Sequence, residues 1–149
     1  MFNNILISED DSIIDPNVHD SRILGLITLE NKKLLLPIQT TDKSILCIAF
    51  NDLDCLRVDD FKEGNIILDI TISRGSEVEV SDIAYAYGLE QFMPPLETNS
   101  YLDKAVKSFI ADKKLFVQIN PSYGCKLVCI CGEIEVLKNW ISIISDQWR

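Results

Sequence analysis

The chain has one histidine, His19, and it is followed directly by Asp20. A His-Asp pair suggests the metal-dependent phosphohydrolases, but that chemistry needs further histidines and no second one exists in this sequence. His19 alone, oriented by Asp20, could act as a general base only beside positioned partners, and none is identifiable. It reads instead as a capping or strand-opening residue. Five cysteines are present, Cys47, Cys55, Cys125, Cys129 and Cys131. The C-x3-C-x-C run has no second cysteine pair and no nearby histidine, so a zinc site is not expected. An odd cysteine count without an export signal points to reduced thiols. Cys47 or Cys55 would need an activating base to serve as a nucleophile, whereas Asp52, Asp54, Asp59 and Asp60 surround Cys55 in sequence, and negative charge raises a thiol pKa. Carboxylates are abundant, but spacing singles out no pair for glycosidase or two-metal work. No catalytic, cofactor-binding or metal-ligating residue is therefore assigned. A small enzyme using carboxylates with Cys or His remains the alternative to a binding protein.

The stretch from Gly75 to Asn99 has a clearer signature. It contains Glu77, Glu79, Asp82, Glu90 and Glu97 without a Lys or Arg, and interleaves them with Tyr85, Tyr87, Phe92 and Met93. Glu77, Glu79, Asp82, Tyr85, Tyr87, Glu90 and Phe92 form a candidate partner-binding surface, in which rings anchor and carboxylates surround them. The competing reading has the three rings packing a helix onto a sheet. Asp52, Asp54, Asp59, Asp60 and Glu63 supply a second candidate rim. The formal charge is −9, from 23 acidic and 14 basic groups. Such a field repels phosphate backbones, so direct nucleic-acid binding is disfavoured and a basic protein is the better partner. Glu9, Asp10 and Asp11 stand where a secretory signal would be basic and then apolar. No apolar run approaches the ~20 residues that span a bilayer. A soluble, cytoplasmic protein is expected.

At 149 residues one domain, spanning 1–149, is the economical organisation. Arg22 to Leu29 and Lys33 to Thr40 read as a hairpin, with Pro37 placing the second strand at an edge or a bulge. An exposed edge there would suit a structural or self-associating module. Ile45 to Phe50 and Cys55 to Val58 follow as short strands. Asn65 to Ile72 alternates, with Ile66, Leu68, Ile70 and Ile72 on the core side, and Phe61 in the preceding loop plugs onto the core. Ser81-Asp82 begins a short helix closed by Gly88, and Ser100 begins an amphipathic one with Leu102, Val106, Phe109 and Ile110 inward. Strands return at Lys114 to Ile119 and Cys125 to Cys131. In the second, Cys125, Cys129 and Cys131 share one face, and Leu127 and Ile130 help make both faces apolar. The final segment is ambiguous, because Glu133 to Val136 alternates as a strand would while Leu137, Ile141, Ile144 and Trp148 share a helical face, and of the two a closing helix is expected. The expected class is α+β, an antiparallel sheet of about six to seven strands with two or three helices packed on it.

Two segments carry a family likeness. Asp15-Pro16-Asn17-Val18-His19-Asp20-Ser21-Arg22-Ile23-Leu24 opens it, and after Leu53 to Val58 comes Asp60-Phe61-Lys62-Glu63-Gly64-Asn65-Ile66-Ile67-Leu68-Asp69-Ile70. This pattern, over residues 15–73, resembles small bacterial immunity-type proteins of polymorphic toxin and contact-dependent growth inhibition systems. The resemblance implies a cytoplasmic antidote that binds one cognate toxin, often a nuclease with a basic cleft, and covers its active site or substrate surface. It implies no catalytic residues and no cofactor.

Overall fold

The computed structural model describes residues 2–90 and 100–147. In chain order the strands are β1 (Phe2–Asn3), β2 (Leu6–Ile7), β3 (Ile13–Asp15), β4 (Arg22–Ile23), β5 (Ile27–Leu29), β6 (Lys33–Gln39), β7 (Ile45–Asn51), β8 (Cys55–Asp59) and β9 (Ile66–Arg74). Helices α1 (Val80–Ala86) and α2 (Ser100–Ala111) follow, then β10 (Leu115–Tyr123), β11 (Lys126–Cys131), β12 (Glu133–Leu137) and α3 (Trp140–Gln147). The fold is α+β, with more strands than the sequence suggests. Nine strands lie in the order β1-β12-β7-β6-β4-β9-β10-β11-β8, β5 pairs beside β6, and β2 pairs with β3 separately. Among the described residues every pairing is antiparallel except that of β1 with β12.

Alternation explains how this sheet builds its core. In β6 and β7, Leu34 opposes Phe50 and Leu36 opposes Ile48 on one face, while Leu35 opposes Ala49 on the other. The first face joins Ile70 and Ile72 of β9, Val117 and Ile119 of β10, and Leu127, Cys129 and Cys131 of β11 in one cluster. Residues from both halves of the strand order meet there, so the sheet curls around a shared interior. Val128 and Ile130, on the opposite face of β11, pack under Ile83 and Ala84 of α1 and Leu102 and Phe109 of α2. Both faces of β11 are thus buried, which accounts for its unbroken apolar run. Cys47 and Ala49 on the outer face of β7 are covered by Trp140 and Ile144 of α3. The two halves are joined by tight crossings. Gly132 N–H donates to Asn51 O at 2.9 Å, and a Cβ on Gly132 would fall 2.9 Å from Asp52 Oδ2, which explains the glycine there.

Six expectations are corrected. Ile110, expected on the inward face of α2, is 59% exposed, whereas Leu102 and Phe109 of the same stripe are buried. Pro37 lies in an interior strand, paired with Cys47 of β7, not at an edge. Its carbonyl accepts from Leu24 N–H at 2.9 Å, so its missing N–H falls on the same side, at the break between β4 and β5. In β9, Ile67 is buried and Leu68 exposed, the reverse of the expected parity. The register against β10 slips between Asp69↔Asn120 and Ile67↔Pro121, so Leu68 is an extra bulged residue that turns the strand's face over. Phe61 is 50% exposed and does not plug the core. Helix α1 is capped by Glu79, with Asp82 at the third helical position, not by Ser81-Asp82. The C-terminal segment begins as a strand, β12, because Glu133 to Leu137 pairs with β7 over five residues, and only Trp140–Gln147 is helical. Ile141, assigned to the inward helical face, is 69% exposed, and Trp148 lies outside the described residues.

Candidate docking surface

Strand β8 ends the hydrogen-bonded order of the sheet, and α1 packs across it, so side chains from both elements meet along this border. Arg57, in the middle of β8, lies with its guanidinium 3.9 Å from the centroid of the Tyr85 ring. It donates from Nη1 to the Tyr85 carbonyl at 3.0 Å and to Glu90 Oε1 at 2.5 Å, and from Nε to Asp59 Oδ2 at 3.2 Å. The Tyr85 hydroxyl donates to the same Asp59 carboxylate, and Lys126 Nζ stands 4.9 Å from the ring centroid. The Tyr85 hydroxyl and then Arg57 hold the Asp59 carboxyl below its usual range, and Arg57 holds Glu90 down in the same way. Burial, followed by Asp59, raises the Tyr85 phenol. The two rims read from the sequence therefore meet at Tyr85 and Asp59. The lack of Lys and Arg along residues 75–99 does not survive folding, because β8 and β11 bring Arg57 and Lys126 to the same ring.

The other predicted residues are distributed around this cluster. Glu77, Glu79 and Asp82 gather before and within the first turn of α1. Glu77 accepts from Arg74 N–H at 3.4 Å and Asp82 from Glu79 N–H at 3.1 Å, so these acids serve as caps. Tyr87 lies at the far end of α1 and, with Asp54, Leu89, Tyr101, Lys104 and Ala105, lines an open groove of about 450 Å³. Burial pushes its phenol up to about 12, with smaller contributions from Cys55 and Asp54. Phe92 lies outside the described residues.

Asp52 and Asp54 flank the crossing from β7 to β8 and face a residue that the sequence reading missed. Lys114, only 5% exposed, donates to Asp52 Oδ2 at 2.5 Å and to Asp54 Oδ1 at 3.4 Å. The Lys114 bond lowers the Asp52 carboxyl. The only sequence hint is that a lysine opens the apolar strand Leu115 to Ile119 without alternating with it. Beyond β8, the loop to β9 carries Asp60 and Glu63, both exposed, and Asp60 pairs with Lys62 at 2.9 Å. Asn65, 1% exposed, holds this loop. Its Oδ1 accepts from Lys62 N–H at 2.8 Å and Cys125 N–H at 2.9 Å, and its Nδ2 donates to the Lys62 carbonyl.

The residues considered for chemistry lie elsewhere or are subdued. His19 Nδ1 meets the carbonyl of the bulged Leu68 at 2.7 Å, a contact in which this nitrogen must donate, and Nε2 lies 3.5 Å from Asp20. His19 thus satisfies the carbonyl that the bulge takes out of the ladder. Burial pushes the Cys55 thiol up to about 12 and Cys47 to about 11, which keeps both protonated at neutral pH. Cys129 and Cys131 are wholly buried in the core shared by the two halves of the sheet. No helix among the described residues is long and apolar enough to cross a membrane. No family model, curated protein or solved structure matches this chain.

Proposed function

We propose that this protein is an immunity-type inhibitor that binds a cognate basic toxin domain and covers its active site or substrate surface. The observation that carries the reading is the acidic surplus of the molecule, a net charge of −9, together with the half-exposed side chains that line the border along β8. The Asp59, Asp60 and Glu90 side chains are 44%, 60% and 46% exposed, and they gather where a strand edge, a helix and a loop meet. A rim of this kind speeds encounter with a cationic face, while apolar groups beside it supply lasting affinity. The resemblance over residues 15–73 covers β8 and the loop after it, and it supports the same reading. Cytoplasmic action without catalysis or cofactor belongs to this proposal. The enzyme alternative would draw on His19 or Cys55, yet one is committed to a structural carbonyl and the other is a poor thiolate. Self-association through Pro37 loses its basis because β6 is paired on both sides.

The test is co-expression with a basic toxin domain encoded beside this chain. A stable 1:1 complex and rescue of cell growth are expected. Absence of both complex and rescue would remove the proposal.

A further inference from the structure

Resting on that reading, we infer that the toxin is gripped mainly by the loop between β8 and β9, with Phe61 as the central anchor, and not by the tyrosines of α1. The occupant is a protein face that is basic overall, presents an apolar pocket to Phe61, and carries one carboxylate opposite Arg22.

Tyr85 is already engaged within the molecule. One cation lies 3.9 Å from its ring centroid, a second 4.9 Å away, and its hydroxyl is bonded to Asp59. Gripping a partner through this ring would first mean breaking contacts of similar kind. Phe61 is in the opposite state. Half of its surface is exposed, yet its loop is fixed by the three bonds of buried Asn65. A large ring held in water by a rigid loop loses little conformational freedom when a partner covers it, which is the condition for a strong anchor.

The surroundings of Phe61 extend the surface. Leu24 is 45% exposed and Tyr123 52% exposed. Two open depressions of about 230 and 620 Å³ flank the ridge formed by Lys62, Glu63 and Gly64, one bounded by Leu24 and Phe61, the other by Asp20 and Tyr123. Arg22 borders both. Asp20 and Glu63, neither of them paired with a Lys or Arg among the described residues, rim the area with negative charge and so favour a basic partner. Lys62 is neutralised by Asp60, whereas Arg22 forms no ion pair among the described residues and is left to meet a partner carboxylate.

The experiment measures binding of a catalytically inactivated toxin domain, encoded beside this chain, to the full-length protein and three variants. Phe61→Ala should weaken binding about 30-fold or more. Arg22→Glu should weaken it about tenfold or more. Ile110→Ala, on α2 and remote from the loop, should stay within about threefold. Circular dichroism should show all three variants folded, since none of these side chains is buried. If the unaltered protein binds and Phe61→Ala and Arg22→Glu both bind within about threefold of it, the loop assignment is overturned while the inhibitor reading stands. If the unaltered protein does not bind, the inhibitor reading itself fails and takes this inference with it.

Discussion

Tyr85 joins two cations and two carboxylates into one neutral group, so its hydroxyl should set the acidity of Asp59 without setting the fold. Replacing Tyr85 by Phe keeps the ring beneath Arg57 and removes only the donor to Asp59. The Asp59 carboxyl should then titrate closer to its ordinary value, as read by carboxyl-carbon NMR. An unchanged Asp59 titration would show that Arg57 alone holds it down. Asp59, Glu90 and Asp52 all have folded-state pKa values below their unfolded ones. A depressed carboxylate stabilises the fold above its unfolded pKa, and that contribution is lost as pH falls through the folded value. Urea midpoints should therefore drop below about pH 4, and Asp59→Asn with Glu90→Gln should flatten part of that drop. An equal slope in the double variant would rule these carboxylates out as its source. Gly124 marks a harder constraint, with φ +80° and a virtual Cβ pressed against the locked Asn65 carboxamide. Gly124→Ala should cost about 1–3 kcal/mol by urea unfolding. A loss under about 0.5 kcal/mol would mean that the Asn65 loop yields easily.

Between elements, Lys114 ties the start of β10 to the crossing from β7 to β8, and its ammonium is nearly shut off from water. Lys114→Met should lower stability by about 1.5–3 kcal/mol, the range for hydrogen bonds to charged groups, while the exposed neighbour substitution Lys113→Met should stay within about 0.5 kcal/mol. Equal losses at both positions would deny the clamp its role. Most long elements were legible in the sequence because their burial repeats at the strand or helix period. β6, β7 and β11 are apolar on both faces, and α2 carries Leu102 and Phe109 inward as its spacing implies. What escaped the reading depends on partners distant in sequence. The bulge at Leu68 falls where β10 steps from Asn120 to Pro121, and Pro37 is tolerated inside the sheet because β4 and β5 part beside it. Glu133 to Leu137 becomes a strand because β7 offers an edge, and two-residue strands such as β1 and β2 are too short to show a period. The predicted rim fared in the same way. Asp59, Tyr85 and Glu90 do converge, but the cations that neutralise them come from β8 and β11, which no local window contains.

Over the whole molecule, the net charge of −9 is the feature most directly tied to the proposed partner, and it makes a kinetic statement distinct from the anchoring one. Exposed charges act at long range and are screened beyond about 10 Å at 0.1 M salt, so their main effect is on the rate of encounter. A covered aromatic anchor acts only in the formed complex and sets how long it lasts. The acids stand mostly at the surface, at the first turn of α1, along β8 and in the loop after it, whereas Phe61 and Leu24 supply apolar area beside them. Raising salt from about 50 to about 500 mM should therefore slow association with the toxin domain about 10- to 100-fold and change dissociation by less than about threefold. Phe61→Ala should do the reverse, speeding dissociation with little effect on association. Stopped-flow or surface-based kinetics on the same pair of proteins separates the two. An association rate insensitive to salt would mean that the negative field of this molecule serves solubility alone, leaving recognition entirely to the apolar surface of the loop.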